Sequence, residues 1–189
     1  MRNEELEYLK TECLKCTKCA LSETRNNVVF SDGSCNAPIL LIGEAPGAEE
    51  DATGIPFVGR AGKLLNQFLE QAGINRPDDI YICNTVKCRP PDNRVPTPAE
   101  KAACMNYLLE QIKIVNPKVI ILCGATAMQT FIGKKEKISQ IRGKWLKILD
   151  NRDAMVIFHP SYLLRNHSVE EGSPRWLTLR DLKIVSSEK

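Results

Sequence analysis

The chain has 189 residues, 43% of them hydrophobic and 26% charged, with a formal net charge of +3. It is long and apolar enough for one domain with a full core, and it lies well outside the disordered range. No apolar run approaches the roughly 18–20 residues needed to cross a bilayer, and the charge is too mild to establish a polyanionic partner by itself.

The N-terminal Met1-Arg2-Asn3-Glu4-Glu5-Leu6-Glu7 is charged where a signal peptide needs an apolar run, so a soluble, cytoplasmic, monomeric protein is expected. A reducing compartment makes the eight cysteines ligands or buried thiols rather than disulfides. Cys16 and Cys19 form a C-x-x-C, and Cys88 and Cys104 lie far downstream on either side of Arg89-Pro90-Pro91. Such a set suits zinc or an iron–sulfur cluster, and spacing alone does not choose between them.

Along the chain, Ile39-Leu40-Leu41-Ile42 ends in Gly43 and reads as a strand buried on both faces. Lys63 to Ala72 carries apolar residues at helical spacing and stops at Gly73. Ile80-Tyr81-Ile82-Cys83 is a second strand. Thr97-Pro98-Ala99-Glu100 opens a long helix with an N-cap, a proline at the first position and a capping box, running to about Val115. Val119-Ile120-Ile121-Leu122 is a third strand, followed by a short helix from Ala125 to Phe131. Met155-Val156-Ile157-Phe158 is a fourth, and a last helix covers Trp176 to Val185. This alternation predicts an α/β fold, a three-layer α/β/α sandwich around a central four-stranded parallel sheet. Residues 1–189 read as a single domain, with residues 1–20 a helix-plus-knuckle extension that the cysteines could staple to the body.

Ligands of open parallel sheets bind at the carboxyl ends of the strands. The four strands deliver Gly43-Glu44-Ala45-Pro46-Gly47, then Asn84, then Gly124-Ala125-Thr126, then His159-Pro160-Ser161-Tyr162. A carboxylate, an amide and an imidazole are thereby placed at one edge. Neither Gly43 to Gly47 nor Gly59 to Leu64 has the spacing of a dinucleotide or triphosphate loop. Arg89, Arg94, Lys144, Arg165 and Arg175 fall in loops or at element ends, where contacts usually sit.

Four segments closely resemble the family 4 uracil-DNA glycosylases: Gly43 to Asp51, Gly54 to Gly62, Asn84 to Arg94 and His159 to Arg165, in matching order. The resemblance implies a base-excision-repair enzyme that flips uracil out of single- or double-stranded DNA and hydrolyses its N-glycosidic bond, leaving an abasic site. It implies a [4Fe–4S] cluster on Cys16, Cys19, Cys88 and Cys104, with Leu21 and Arg25 setting the register against the competing Cys13. It places Gly43, Glu44, Ala45, Phe57, Asn84 and His159 around the base. Phe57 would stack on the ring, Asn84 would read its O4 and N3–H edge, and His159 would stabilise negative charge at O2. Glu44 and Glu50 are the implied carboxylates of the catalytic set. Leu163 or Leu164 would fill the vacated stack, with Arg165 on phosphate. No lysine in these motifs suggests a Schiff base, so a monofunctional enzyme is expected. The short, histidine-free Arg89 to Thr97 stretch disfavours a covalent sugar intermediate.

Overall fold

The computed structural model describes residues 1–189. The first part carries α1 (Arg2–Leu14), α2 (Leu21–Thr24), β1 (Ile39–Gly43), α3 (Ala48–Thr53) and α4 (Arg60–Gln71). The middle carries α5 (Arg76–Asp79), β2 (Ile80–Asn84), α6 (Pro98–Val115), β3 (Val119–Cys123) and α7 (Ala125–Ile132). The last part carries α8 (Ile138–Ile141), β4 (Trp145–Ile148), β5 (Arg152–Ile157), α9 (Pro160–Leu163) and α10 (Pro174–Ser186).

The strands pair in the order β2-β1-β3-β5-β4. β1, β2, β3 and β5 are parallel, with Ile39 opposite both Ile80 and Val119, and Val119 opposite Asp153. β4 is antiparallel to β5, with Trp145 opposite Met155. The expected four-stranded parallel sheet is thus corrected to a five-stranded mixed one. β4 sends a weak signal because Trp145 and Lys147 are exposed and only Ile148 is fully buried. It returns through Leu149, Asp150 and Asn151, all at positive φ, a conformation that Asp and Asn tolerate.

β1, β2 and β3 are buried along their whole length, and successive residues feed two separate cores. Leu40, Ile42, Ile120 and Leu122 meet Leu6, Leu108, Ile112 and Met128 from α1, α6 and α7. Ile39, Leu41, Ile80 and Ile121 meet Leu65, Phe68, Leu182 and Val185 from α4 and α10. Helices therefore cover both faces. α6 begins as its sequence dictates: Thr97 Oγ1 accepts from the Glu100 amide at 3.2 Å, and the Glu100 carboxylate accepts from the Thr97 amide at 2.8 Å.

β1 lies between β2 and β3. The chain leaves β1 towards one side of the sheet, and after β2 it crosses to the other. β1 therefore marks the reversal of strand order, beyond whose carboxyl end such sheets place their ligands.

Candidate active site and cysteine cage

A cleft opens at that position, lined by Glu44, Ala45, Gly47, Glu50, Phe57, Asn84, Arg94, His159 and Ser161 among others. Residues expected near the base from four separate segments therefore share one cavity. Gly43 lies directly beneath: a Cβ there would stand 2.4 Å from Asn84 Oδ1 and 2.6 Å from the Phe57 ring. Only glycine lets the aromatic ring and the amide approach each other over the strand end.

Phe57 sits at φ +54, a left-handed conformation costly for an aromatic residue, and is 6% exposed. Its surroundings impose that conformation. Gly62 at the start of α4 packs so closely that a Cβ would fall 2.0 Å from the Phe57 carbonyl. Arg76 donates to the Phe57 carbonyl at 2.9 Å, to Asn66 Oδ1 at 2.7 Å and to Asp32 at 3.0 Å. Asn84 is 2% exposed. Its backbone carbonyl accepts from Lys87 Nζ, while its side-chain amide has no bond within the protein and faces the cleft.

His159 is the N-cap of α9, and its Nδ1 accepts from the Ser161 amide at 3.1 Å. That bond puts the proton on Nε2, which makes the ring a donor. Burial lowers its pKa to about 4 against an opposing pull from Glu50, so the imidazole is neutral at physiological pH. The ring centroids of His159 and Phe57 are 5.9 Å apart. Glu44 follows β1, and its Oε2 accepts from Thr126 Oγ1 at the start of α7. This bond spans the reversal of strand order between β1 and β3.

The uracil DNA glycosylase superfamily profile matches residues 30–183, most of the chain. The type-4 uracil-DNA glycosylase of Thermotoga maritima is 49% identical over 187 residues, 98% of this chain and 95% of that protein. The type-4 enzyme of Archaeoglobus fulgidus is 39% identical over 178 residues, 89% of this chain and 87% of its own length. That of Pyrobaculum aerophilum is also 39% identical, over 168 residues and 85% of each chain. The chain belongs to the type-4 uracil-DNA glycosylases.

Two expectations drawn from the type-4 resemblance change in the structure. Glu50 is no free acid: its carboxylate accepts from the amides of Gly47 at 3.1 Å, Val58 at 3.0 Å and Gly59 at 2.8 Å. It ties the start of α3 to the start of α4 and so shapes the cleft wall. Leu163 is fully buried in the α4 and α10 core. Leu164 is only partly buried against that core, Arg165 is exposed, and Tyr162 is 39% exposed against Phe158. Arg175 donates to the Leu163 and Asn166 carbonyls and so holds this loop rather than standing free.

Cys16, Cys19, Cys88 and Cys104 line a second cavity together with the buried Cys13. α1 packs on α6 and brings the N-terminal pair to the downstream pair. Arg25 donates to the Cys16 carbonyl at 2.7 Å and to Cys88 Sγ at 3.4 Å. Burial raises the Cys13 thiol to about 12 and the Cys88 thiol to about 11, with Arg25 opposing the rise at Cys88. Cys83 and Cys123 are fully buried in β2 and β3, as small hydrophobes.

Thr126, Arg76 and Lys87 were not assigned roles from sequence. Thr126 stands in the Gly124-Ala125-Thr126 strand end and was findable there. Arg76 and Lys87 act through backbone carbonyls, which leave no motif.

Proposed function

We propose that this chain excises uracil from DNA, and that Phe57, Asn84 and His159 form the pocket for the extruded base. The observation that carries this reading is the Asn84 amide, almost fully buried, unpaired within the protein, and beside an aromatic face and an imidazole donor. Its polar atoms have no partner within the protein and open onto the cleft, where the edge of a base can pair with them. The O4 and N3–H of uracil offer the acceptor and donor that an amide needs, and cytosine reverses them.

Uracil in a duplex reaches such a pocket only after flipping, at a cost of a few kcal/mol. Leu164, with Arg165 on phosphate, fills the gap left in the stack. Phe57 stacks on the base, and Gly43 and Ala45 close its polar edge. As the glycosidic bond breaks, the electron pair goes to uracil, and the His159 Nε2–H strengthens its hydrogen bond to O2 as charge builds there. A neutral donor suits a developing anion and needs no proton of its own. Glu44 has one oxygen held by Thr126, which leaves the other to orient a water towards C1′. The water oxygen bonds to C1′, its proton is released, and the departing uracil anion is protonated. Free uracil and an abasic site result. No lysine lines the cleft, which favours a monofunctional enzyme.

We infer that Cys16, Cys19, Cys88 and Cys104 hold a [4Fe–4S] cluster. The thiols ring a cavity rather than converge on one point, their soft donors suit iron–sulfur chemistry, and Arg25 supplies the hydrogen bond to sulfur typical of such sites. When bound, the cluster cross-links the N-terminal segment to α6. A uracil-containing oligonucleotide tests the whole reading: free uracil should appear, with strand breaks only after alkaline treatment. Intact uracil after prolonged incubation overturns it.

A further inference from the structure

The cleft and the cage meet at one atom. Lys87 is the only fully buried basic residue, 1% exposed. It lines the cysteine cavity, and its Nζ donates to the carbonyl of Asn84 at 2.8 Å. No carboxylate pairs with it. Glu100, the one acid lining the same cavity, is committed to Arg94 at 2.7 and 2.9 Å and to the Thr97 amide.

An ammonium buried without an anion is strongly unfavourable. A cluster held by four thiolates carries net negative charge and would supply the missing partner. The segment between the two sites is also tightly held. The Thr85 amide donates to Gly43 at 3.0 Å, the Val86 amide to Glu44 at 3.3 Å, and the Val29 amide to Lys87 at 2.8 Å. Residues 84–88 therefore run from the base reader to a cysteine of the cage while bonded to the loop that frames the cleft.

We propose that Lys87 is a positioning residue that serves as the internal counter-charge of the cluster and, through its bond to Asn84, makes base recognition depend on the cluster. This inference rests on the cluster reading given above. A filled cage holds the ammonium in place under Asn84. Loss of the cluster leaves the charge unpaired and frees residues 84–88 to rearrange, which loosens the amide before it disturbs His159.

The test compares holoenzyme, Lys87→Met and Lys87→Arg by iron and acid-labile sulfide content, cluster reduction potential and steady-state kinetics. Lys87→Met should lose cluster or, where it keeps it, show a more negative potential, because the compensating charge is gone. Its KM for uracil-DNA should rise roughly tenfold, with a smaller fall in kcat. Lys87→Arg keeps the cation and should keep the potential. Wild-type iron content, potential and KM in Lys87→Met overturn the proposal alone. Absence of iron and sulfide from the wild type overturns the cluster reading and the proposal together.

Should Lys87→Met fail to fold, the unmodified protein decides. Coupling is reciprocal in binding free energies, so saturating free uracil should raise the chelator concentration that strips half of the iron at equilibrium by about fivefold or more. An unchanged equilibrium midpoint at uracil concentrations shown to occupy the cleft refutes the link.

Discussion

The base cleft and the cysteine cage lie at opposite ends of residues 84–88, yet they are built by different means. The cleft is held by the protein's own bonds: Arg76 on the Phe57 carbonyl, Glu50 on three amides, Thr126 on Glu44 and Ser161 on His159. The groups left without protein partners are the Asn84 amide, the second Glu44 oxygen and His159 Nε2, those proposed to meet base or water. The cage is held by little of this kind. Its thiols come from segments separated by about half the chain, its lining is largely apolar, and Arg25 is the main polar tie. Preorganisation supplied by these hydrogen bonds should persist at Phe57, Glu44 and His159 without a cofactor, whereas the thiols, and Asn84 through Lys87, depend on one.

The largest expected effect follows from that contrast. Cys88→Ser should abolish the visible absorbance of the cluster and lower the melting temperature by roughly 15 °C, because the cross-link between the N-terminal segment and α6 is lost. A variant that melts with the wild type would show that the N-terminal segment is held by α1–α6 packing alone. Next, His159→Ala should cut kcat by about 10²–10³-fold while DNA binding and melting temperature stay near wild type. Equal losses of binding and turnover would recast His159 as part of the cleft wall.

The legibility of the two regions in the sequence differs for physical reasons. Gly43, Asn84 and His159 follow strands whose apolar runs are unmistakable, so the sheet itself announces where they converge. The capping box at Thr97 and Glu100 fixes the start of α6 just as clearly. β4 was missed because an edge strand with one solvated face carries little hydrophobic pattern. The surroundings of Glu50 and Leu163 were not legible because sequence gives residue type and approximate place, not direction. Three backbone amides claim the Glu50 carboxylate, and one helical turn in α9 points Leu163 into the core while Leu164 and Tyr162 remain nearer the surface. The cage was legible as four cysteines, but the presence of Cys13 and Lys87 in the same cavity depends on how α1 docks.

The corrected loop yields a third prediction. Leu163→Ala should destabilise by about 3 kcal/mol, a fall of some 6–12 °C in melting temperature, with little change in kcat at temperatures where it is folded. Leu164→Ala should do the reverse: small loss of stability and a loss of activity confined to double-stranded substrate, since only a duplex leaves a gap to fill. If Leu163→Ala were the variant with the duplex-specific defect, the loop would have to leave the core when DNA binds.

The smallest effect is electrostatic and belongs to the cleft alone. His159 titrates near the ordinary 6.5 in the unfolded chain and at about 4 in the folded one, because burial disfavours its charged form. Between those values the unfolded chain binds more protons, so stability is complete above about pH 6.5 and declines as the pH falls towards 4. The contribution is on the order of 2 kcal/mol at most, given that the ring is partly open to the cleft. The melting temperature of the wild type should therefore fall further than that of His159→Asn as the pH drops from 7.5 to 4.5. Turnover should show no inflection near 6.5, since the acting imidazole is already neutral there. A step in kcat at that pH would mean that the protonated ring carries the reaction, and the Ser161 amide could not then be bonded to Nδ1.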